Sequence, residues 1–239
     1  MDLGLFRLRS WSFGASMITL FFAGFTPIFF IFTLYLQNGL HYGALGAGLA
    51  ITPFAVGSAV ASALGGRLVD RAAPRFIAGF GLLCCSVSMF WMSQIIEPDV
   101  PIWELLLPIA LLGVANGFMW APIGSTATRN LPLHQAGAGA GVYNTTRQVG
   151  AVLGSAGIAV LMESRLAHNL PAVQGVPAGE GMSGGKLPAV ALQGFSDSMA
   201  QSLILPAAVL LIGLVAALMF EKPAHMQAPA SDDLESLRG

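Results

Sequence analysis

Residues 65–75 read GGRLVDRAAPR, a short charged segment between two long apolar ones. Residues 44–64 before it and residues 76–94 after it contain no charged side chain. Each apolar segment is long enough to cross the hydrocarbon core of a bilayer, about 30 Å, which takes about 20 helical residues. We therefore predict a tight hairpin between two membrane helices. Its three arginines place it on the cytoplasmic side, because short basic loops stay inside.

The composition is that of an all-α integral membrane protein. Hydrophobic residues make up 55% of the chain and charged residues only 10%, whereas soluble domains carry about 25% charged residues. The 29 glycines fit this class, because small side chains let membrane helices approach closely. A net charge of −1 gives no indication of a nucleic-acid partner. Two neighbouring cysteines, Cys84 and Cys85, are too few for a metal site.

Apolar segments along the chain predict six transmembrane helices, all within a domain that covers residues 1–222. Pro53 is expected to kink the second of them. Residues 165–198, rich in Gly and Pro, are predicted to form a flexible outer loop. The polar residues 223–239 are predicted to be a disordered cytoplasmic tail. The six predicted spans cover about residues 11–36, 45–64, 76–96, 102–126, 136–162 and 202–220.

The basic residues decide the predicted orientation of these spans. If the N-terminus is cytoplasmic, the inner segments contain eight Lys and Arg residues and the outer segments contain two, Arg165 and Lys186. Because Lys and Arg accumulate in cytoplasmic loops, we expect both termini to be cytoplasmic. The inner basic residues are Arg7, Arg9, Arg67, Arg71, Arg75, Arg129, Lys222 and Arg238.

The fifth predicted span contains the main functional signal, Arg147. It lies about 16 Å above the start of that span, where a charge costs about 2.5 kcal/mol even on the mildest scale. Asn144 and Gln148 share its helix face. One hypothesis is a polar stripe that lines a cavity and serves substrate binding or proton coupling. The alternative is that Arg147 lies lower, reaches the cytoplasmic headgroups and locks helices together.

Glycines of the same span are predicted to serve helix packing. Gly150 and Gly154 form a small-xxx-small pair on a neighbouring face, which suits close approach to another helix. The start of the span is also rich in glycine. The glycines assigned to packing are Gly137, Gly141, Gly150 and Gly154.

The hairpin resembles the signature loop of the major facilitator superfamily, Gly-x-Leu-Ala-Asp-Arg-x-Gly-Arg-Lys. Ala73 replaces the second glycine, and Pro74 takes the first of the two final basic positions. In that family the loop is taken to control the switch between inward-facing and outward-facing states. The resemblance therefore implies a conformational role for the hairpin. The alternative is that the hairpin is only a basic turn that sets the membrane topology. The residues that keep the pattern include Gly66, Asp70, Arg71 and Arg75.

Residues 144–154 (NTTRQVGAVLG) resemble the penultimate helix of the drug:proton antiporter branch with fourteen helices. Residues 35–37 (YLQ) and 113–117 (GVANG) are also similar to that branch. The resemblance implies that Gln37 and Asn116 contribute to the substrate cavity. Trp120 is placed either in the cavity or in packing. The likeness covers about residues 5–220, but six helices match only the C-terminal half of such a transporter.

The resemblance implies efflux of amphipathic drugs or small molecules, driven by a proton gradient, across the bacterial inner membrane. Alternating access needs two six-helix halves, so the chain is expected to need an N-terminal half or a second copy. The favoured interpretation is that the chain is a fragment of a split or truncated gene, and the alternatives are a separately encoded N-terminal half or a homodimer. The rival interpretation is a non-transporting membrane fragment or assembly partner. An enzyme is not predicted, because the spans hold no His or carboxylate placed for a nucleophile–base pair or metal cluster.

Overall fold

The computed structural model describes residues 9–69, 74–129, 136–170 and 189–218. Helices make up nearly all of these residues, and no strand occurs among them. The first helix is prolonged by a π-helical turn, Tyr35–Gly39. In chain order the helices are α1 (Arg9–Leu34), α2 (Ala44–Ala50), α3 (Thr52–Val69), α4 (Pro74–Ile95), α5 (Ile102–Arg129), α6 (Ala136–Asn169) and α7 (Ala189–Leu218).

Six stretches of these helices are long and apolar enough to cross a membrane, which confirms the predicted all-α membrane fold. α2 and α3 together form the second span, and every other helix forms one span by itself. We call the end of the bundle where α3 leads into α4 the hairpin end. The spanning stretches are Ile18–Gly39, Ala44–Leu68, Phe76–Ile95, Ile102–Trp120, Gly141–Asn169 and Ala191–Val215.

The second span is interrupted at Ile51, two residues before the proline that was predicted to kink it. Pro53 has no N–H to donate, and its ring clashes with the carbonyl four residues earlier in a regular helix. The chain turns instead: the Ile51 N–H donates to the Gly48 carbonyl at 3.2 Å, and the Phe54 N–H donates to the Ile51 carbonyl at 3.0 Å. The apolar pattern continues through this break, so the span remains one membrane crossing.

The last two helices are longer than the sequence predicted. α6 continues to Asn169 rather than ending near residue 162, and α7 begins at Ala189 rather than near residue 202. Much of the predicted outer loop is therefore helical. Two serines of α7 satisfy their hydroxyls within the helix: Ser198 Oγ donates to the Gly194 carbonyl and Ser202 Oγ to the Ser198 carbonyl, both at 2.7 Å. Ser196 Oγ is buried without a hydrogen-bond partner among the described residues.

The rest of that predicted loop, residues 171–188, lies outside the described residues. The same holds for the centre of the hairpin, residues 70–73, and for the predicted tail, residues 223–239.

Glycines bring two pairs of helices into backbone contact. In the pair α1 and α6, a Cβ on Gly150 would collide with the Thr19 carbonyl, and one on Gly154 with the Ala23 carbonyl. These contacts advance by four residues along both helices, so α1 and α6 run in the same direction with one face of each in close contact. Small residues allow this approach where the bilayer offers no hydrophobic force between helices.

α3 and α5 pack in the same way. A Cβ on Gly113 would collide with the Phe54 carbonyl, and one on Gly117 would lie 2.6 Å from the Ser58 carbonyl. On the other side of the bundle, α4 packs against both α5 and α7. Its Ser86 Oγ donates to the Ala207 carbonyl of α7 at 2.9 Å. α4 is accordingly well covered, with 67% of its span buried, whereas the spans of α3 and α6 are only 17% and 22% buried.

The glycine contacts predict a sharp contrast between two substitutions on α6. Gly154→Ala places a methyl group against the α1 backbone and should destabilise the fold by about 1–3 kcal/mol, the usual cost of overpacking. Gly157→Ala meets nothing within 4 Å among the described residues, so it should be neutral or stabilising by up to about 1 kcal/mol through helix propensity. The melting temperatures of both variants in detergent, measured by fluorescence-detected size-exclusion chromatography, are then compared. Equal melting temperatures would contradict the α1–α6 contact.

Candidate functional site

Arg147 of α6 lies against two aromatic rings. Its Cζ is 5.2 Å from the centroid of the Phe22 ring on α1 and 6.0 Å from that of the Trp120 ring on α5. The two rings meet edge to face, with centroids 6.2 Å apart and planes at 71°. Each cation–π contact contributes about 0.5–2 kcal/mol, depending on desolvation. Aromatic faces therefore offset part of the cost of placing a cation within the bundle.

Hydrogen bonds hold the Trp120 ring in place. The Trp120 indole Nε1 donates to Asn116 Oδ1 at 3.2 Å, one helical turn earlier on α5. The amide Nδ2 of Asn116 donates in turn to Ser58 Oγ on α3 at 2.9 Å. The side-chain amide thus uses both its acceptor and its donor, which fixes its orientation. We call the five connected side chains the Arg147 cluster: Phe22, Ser58, Asn116, Trp120 and Arg147.

The glycine contacts of the fold position this cluster. On α6, Gly150 lies one turn after Arg147, and its partner Thr19 lies one turn before Phe22 on α1. On α5, Gly117 is next to Asn116 and packs on the backbone of Ser58. A larger residue at either glycine would separate the helices and lengthen the side-chain contacts. Helix packing and the polar cluster are therefore coupled.

All five members of the cluster lie at a similar depth. Counted along their helices at 1.5 Å per residue, their Cα atoms are about 14–20 Å from the helix termini at the hairpin end. Half of a bilayer core is about 15 Å, so the cluster is well inside the bundle and away from the helix ends. Arg147 is nevertheless only half-buried, and 40% of Trp120 is exposed.

The other predicted polar residues divide into two groups. Asn144 and Gln148 flank Arg147 on α6, and both are exposed. Gln37 lies in the π-helical turn at the opposite end of α1, 15 residues and about 22 Å beyond Phe22. In that region the Tyr35 hydroxyl donates to the Glu97 carbonyl and ties α1 to the segment between α4 and α5. The structure therefore does not bring Gln37 to the Arg147 cluster.

The hairpin residues are described only in part. Gly66 is exposed on α3, and a Cβ there would meet nothing within 4 Å among the described residues. Arg75 belongs to the first turn of α4, but its side chain is outside the described part of the structure, and Asp70 and Arg71 lie outside it entirely.

The remaining predicted packing glycines differ from Gly150 and Gly154. Gly141 is exposed on α6, with no described atom within 4 Å of an added Cβ. Gly137 belongs to the same helix, but its surroundings are outside the described part of the structure.

Acidic side chains in the described ranges lie far from Arg147. The one on its own helix, Glu163, is 16 residues away, about 24 Å. Within these ranges, no group of three or more His, Cys, Asp or Glu side chains is arranged to hold a metal ion. Three described carboxylates, Glu97, Asp99 and Glu104, are at or beyond helix ends opposite the hairpin end. Glu163 and Asp197 lie six and eight residues inside α6 and α7, within the membrane-spanning stretches, so the expectation that the spans hold no carboxylate was wrong.

Sequence reasoning missed three residues of this region. Phe22 was one of many phenylalanines in the first span, and Ser58 carried no motif. Tyr143, one turn before Arg147, has a buried hydroxyl with no hydrogen-bond partner in the part of the chain that the structure describes. Periodicity places Tyr143 near Arg147 on α6, but it cannot show which residues of α1 and α3 face them.

Comparison with known proteins identifies the family to which the chain is similar. The family model of the Major Facilitator Superfamily matches residues 2–155. An uncharacterized MFS-type transporter of Mycobacterium tuberculosis, Rv1250, is 39% identical over 223 residues, which are 91% of this chain and 38% of the relative. The chain therefore spans well under half the length of this relative.

Other relatives carry names that refer to drugs. The puromycin resistance protein pur8 of Streptomyces alboniger is 37% identical over 56% of this chain and 27% of its own length. The multidrug export protein EmrB of Haemophilus influenzae is 24% identical over 65% of this chain and 30% of its own length.

The hydrogen bonds of Asn116 predict that this residue immobilises Trp120. Asn116→Ala removes the acceptor for the indole and the link to α3, so the ring should move more freely. Time-resolved fluorescence anisotropy of Trp120 measures this, in a chain whose other tryptophans, Trp11, Trp91 and Trp103, are replaced by Phe. We expect a faster and larger depolarisation, with a loss of stability of about 0.6–1.7 kcal/mol per interhelical hydrogen bond.

Ser58→Ala is the matched control, because it removes the link to α3 but leaves the acceptor for the indole. Its effect on Trp120 should be smaller than that of Asn116→Ala. The same anisotropy in both variants and in the unmodified chain would contradict the role of Asn116.

Proposed function

The chain belongs to the major facilitator superfamily, and we propose that it forms one six-helix half of a transporter that exports amphipathic drugs or similar small molecules. The names of several relatives, which refer to drug resistance or multidrug export, support this class of substrate. We place the protein in the bacterial inner membrane with both termini cytoplasmic, on the basis of its basic residues. Proton entry is the proposed driving force, and this rests on the resemblance to drug:proton antiporters.

The working transporter, in this proposal, contains a second six-helix half or a second copy of this chain. The chain spans 38% of the length of its relative Rv1250, and alternating access requires two halves that rock around a central site. The weak burial of α3 and α6 supports such a partner, because only 17% and 22% of their spans are covered. A second copy would be parallel to the first, since opposed orientations conflict with the distribution of basic residues.

The Arg147 cluster is the observation that carries the proposal. Four of the six spans contribute to it, and its cation and indole remain partly accessible. A charged residue within a membrane span is a functional-site hypothesis by default, because packing alone gives no reason to bear its cost. A scaffold or assembly partner, the rival class, has no use for an accessible cation at this depth. We propose that the cluster lines the substrate cavity.

The transport assay tests this directly. We would express the chain alone and together with a candidate N-terminal half in an efflux-deficient host, and measure drug susceptibility and dye accumulation. Arg147→Ala should abolish resistance and restore dye accumulation, because it removes the cation from the cavity. Arg165→Ala on the same helix is the control, since Arg165 is exposed and lies far from the cluster. A protonophore should also abolish export if protons drive it.

The pattern of activity distinguishes the assemblies. Resistance from the chain alone indicates a working homo-oligomer, and resistance only with the second half indicates a half-transporter. Absence of export in both settings, with membrane insertion confirmed, would contradict the transport proposal and favour a non-transporting assembly partner.

We propose, from the family resemblance, that the hairpin acts as a conformational latch through Gly66, Asp70, Arg71 and Arg75. Asp70→Asn keeps the size of the side chain but removes its charge. In the same assay, it should lower the export rate by at least about tenfold, a loss of about 1.4 kcal/mol, without lowering the amount of inserted protein. If Asp70→Asn exported at the rate of the unmodified protein, the latch proposal would be contradicted and the hairpin would only set topology.

A further inference from the structure

We propose that Arg147, Phe22 and Trp120 form a subsite for the anionic group of an amphipathic substrate, such as a carboxylate or sulfonate attached to an aromatic ring system. This inference rests on the proposed transport function and adds a substrate class to it. The described part of the chain supports it through charge, ring geometry and accessibility.

The charge of Arg147 has no described carboxylate to balance it. The acidic residues of the described ranges lie in the half of the bundle away from the hairpin end, and Glu163 on the same helix is about 24 Å away. The guanidinium group of arginine carries a delocalised positive charge. Aromatic faces attract the cation but do not neutralise it. An anion that entered the cluster would therefore be stabilised by an uncompensated positive charge in a medium of low dielectric constant.

The shape of the guanidinium favours carboxylates and sulfonates. Arginine presents its N–H donors in a planar fork that can bind two oxygen atoms of one anion at once. Such charge-assisted hydrogen bonds are about twice as strong as neutral ones. A neutral ligand would lack this contribution, and a cationic ligand would be repelled.

The rings supply the apolar part of the site. Trp120 is 40% exposed, so part of its indole is available to a ligand. Its hydrogen bond to Asn116 holds the ring in one orientation, which lowers the entropy lost when a flat ligand stacks on it. The Phe22 ring is nearly buried, with 9% of its surface exposed, and the guanidinium of Arg147 lies over it. This contact helps to hold the charge in position. A ligand with an anionic group next to an aromatic system would contact both Arg147 and Trp120.

A binding experiment on the purified chain tests this without requiring transport. The chain would be placed in nanodiscs of phosphatidylcholine, a zwitterionic lipid, and equilibrium dialysis would measure the binding of 2-naphthoate and of its neutral analogue 2-naphthamide. We expect the unmodified chain to bind naphthoate at least about tenfold more tightly than naphthamide, in line with a charge-assisted hydrogen bond. If the unmodified chain bound naphthoate and naphthamide with equal affinity, the proposal would be overturned without the need for any variant.

Variants assign the preference to the cluster. Arg147→Gln should weaken the binding of naphthoate about tenfold or more and leave that of naphthamide unchanged. Arg147→Lys should restore most of the preference, because it returns the charge. Arg165→Gln, at the exposed end of α6, should change neither. If Arg147→Gln weakened both probes equally while circular dichroism and the melting temperature were unchanged, the site would be apolar and the proposal wrong.

Two further experiments test whether the anion that binds Arg147 is a lipid headgroup or a carboxylate of the second half. Phosphatidylglycerol nanodiscs should lower naphthoate binding only slightly. Complete loss there, dependent on Arg147, would assign the site to a lipid headgroup and overturn the substrate proposal. Addition of a second six-helix half should leave the preference for naphthoate in place. If the second half abolished it, Arg147 would pair with a carboxylate of that half instead.

Binding and transport can fail separately. A chain that binds naphthoate through Arg147 but exports nothing with any partner would contradict the proposed function and leave an anion site. A transporter whose export of naphthoate was unchanged in Arg147→Gln would contradict the subsite and leave the proposed function intact.

Discussion

Close contact between helix backbones sets the arrangement of this helix bundle. Lipid tails are as apolar as the side chains they surround, so no hydrophobic force drives one membrane helix against another. The chain meets this constraint with glycines at Gly150 and Gly154 between α1 and α6, and at Gly113 and Gly117 between α3 and α5. These two interfaces define how four of the spans are arranged. Substitution at them would alter the bundle and the polar cluster together.

The polar cluster shows how a cation is accommodated within this bundle. Removing a charge from water is costly, and in the described residues no carboxylate lies near Arg147 to offset that cost. Two aromatic rings and partial exposure offset some of it, while Asn116 satisfies the indole of Trp120. The result is a positive charge that lies against aromatic rings and that no carboxylate of the described ranges neutralises. That combination suits recognition of a ligand better than it suits packing.

The bundle is also uneven in how far its helices are covered. α4 lies between α5 and α7 and is largely buried, whereas α3 and α6 expose most of their apolar surface. α6 carries Arg147, and α3 carries Ser58, so the least covered helices contribute to the cluster. A second half packed on those faces would bring the cluster towards the centre of a complete transporter, which is where transporters of this architecture bind substrate.

The amino-acid sequence alone predicted the class of fold, six spans, a kink at Pro53 and the shared helix face of Asn144, Arg147 and Gln148. These features depend on length, hydropathy and helical period, which are local properties of the chain. The sequence placed the start of α7 too late, because two residues that look polar in the sequence, Ser198 and Ser202, satisfy their hydroxyls inside the helix.

Helix packing, by contrast, was needed to show that Phe22 and Ser58 join Arg147 and Asn116, and that Gln37 does not. Contacts between helices depend on their rotation and register, and these follow from glycine contacts between residues far apart in the sequence.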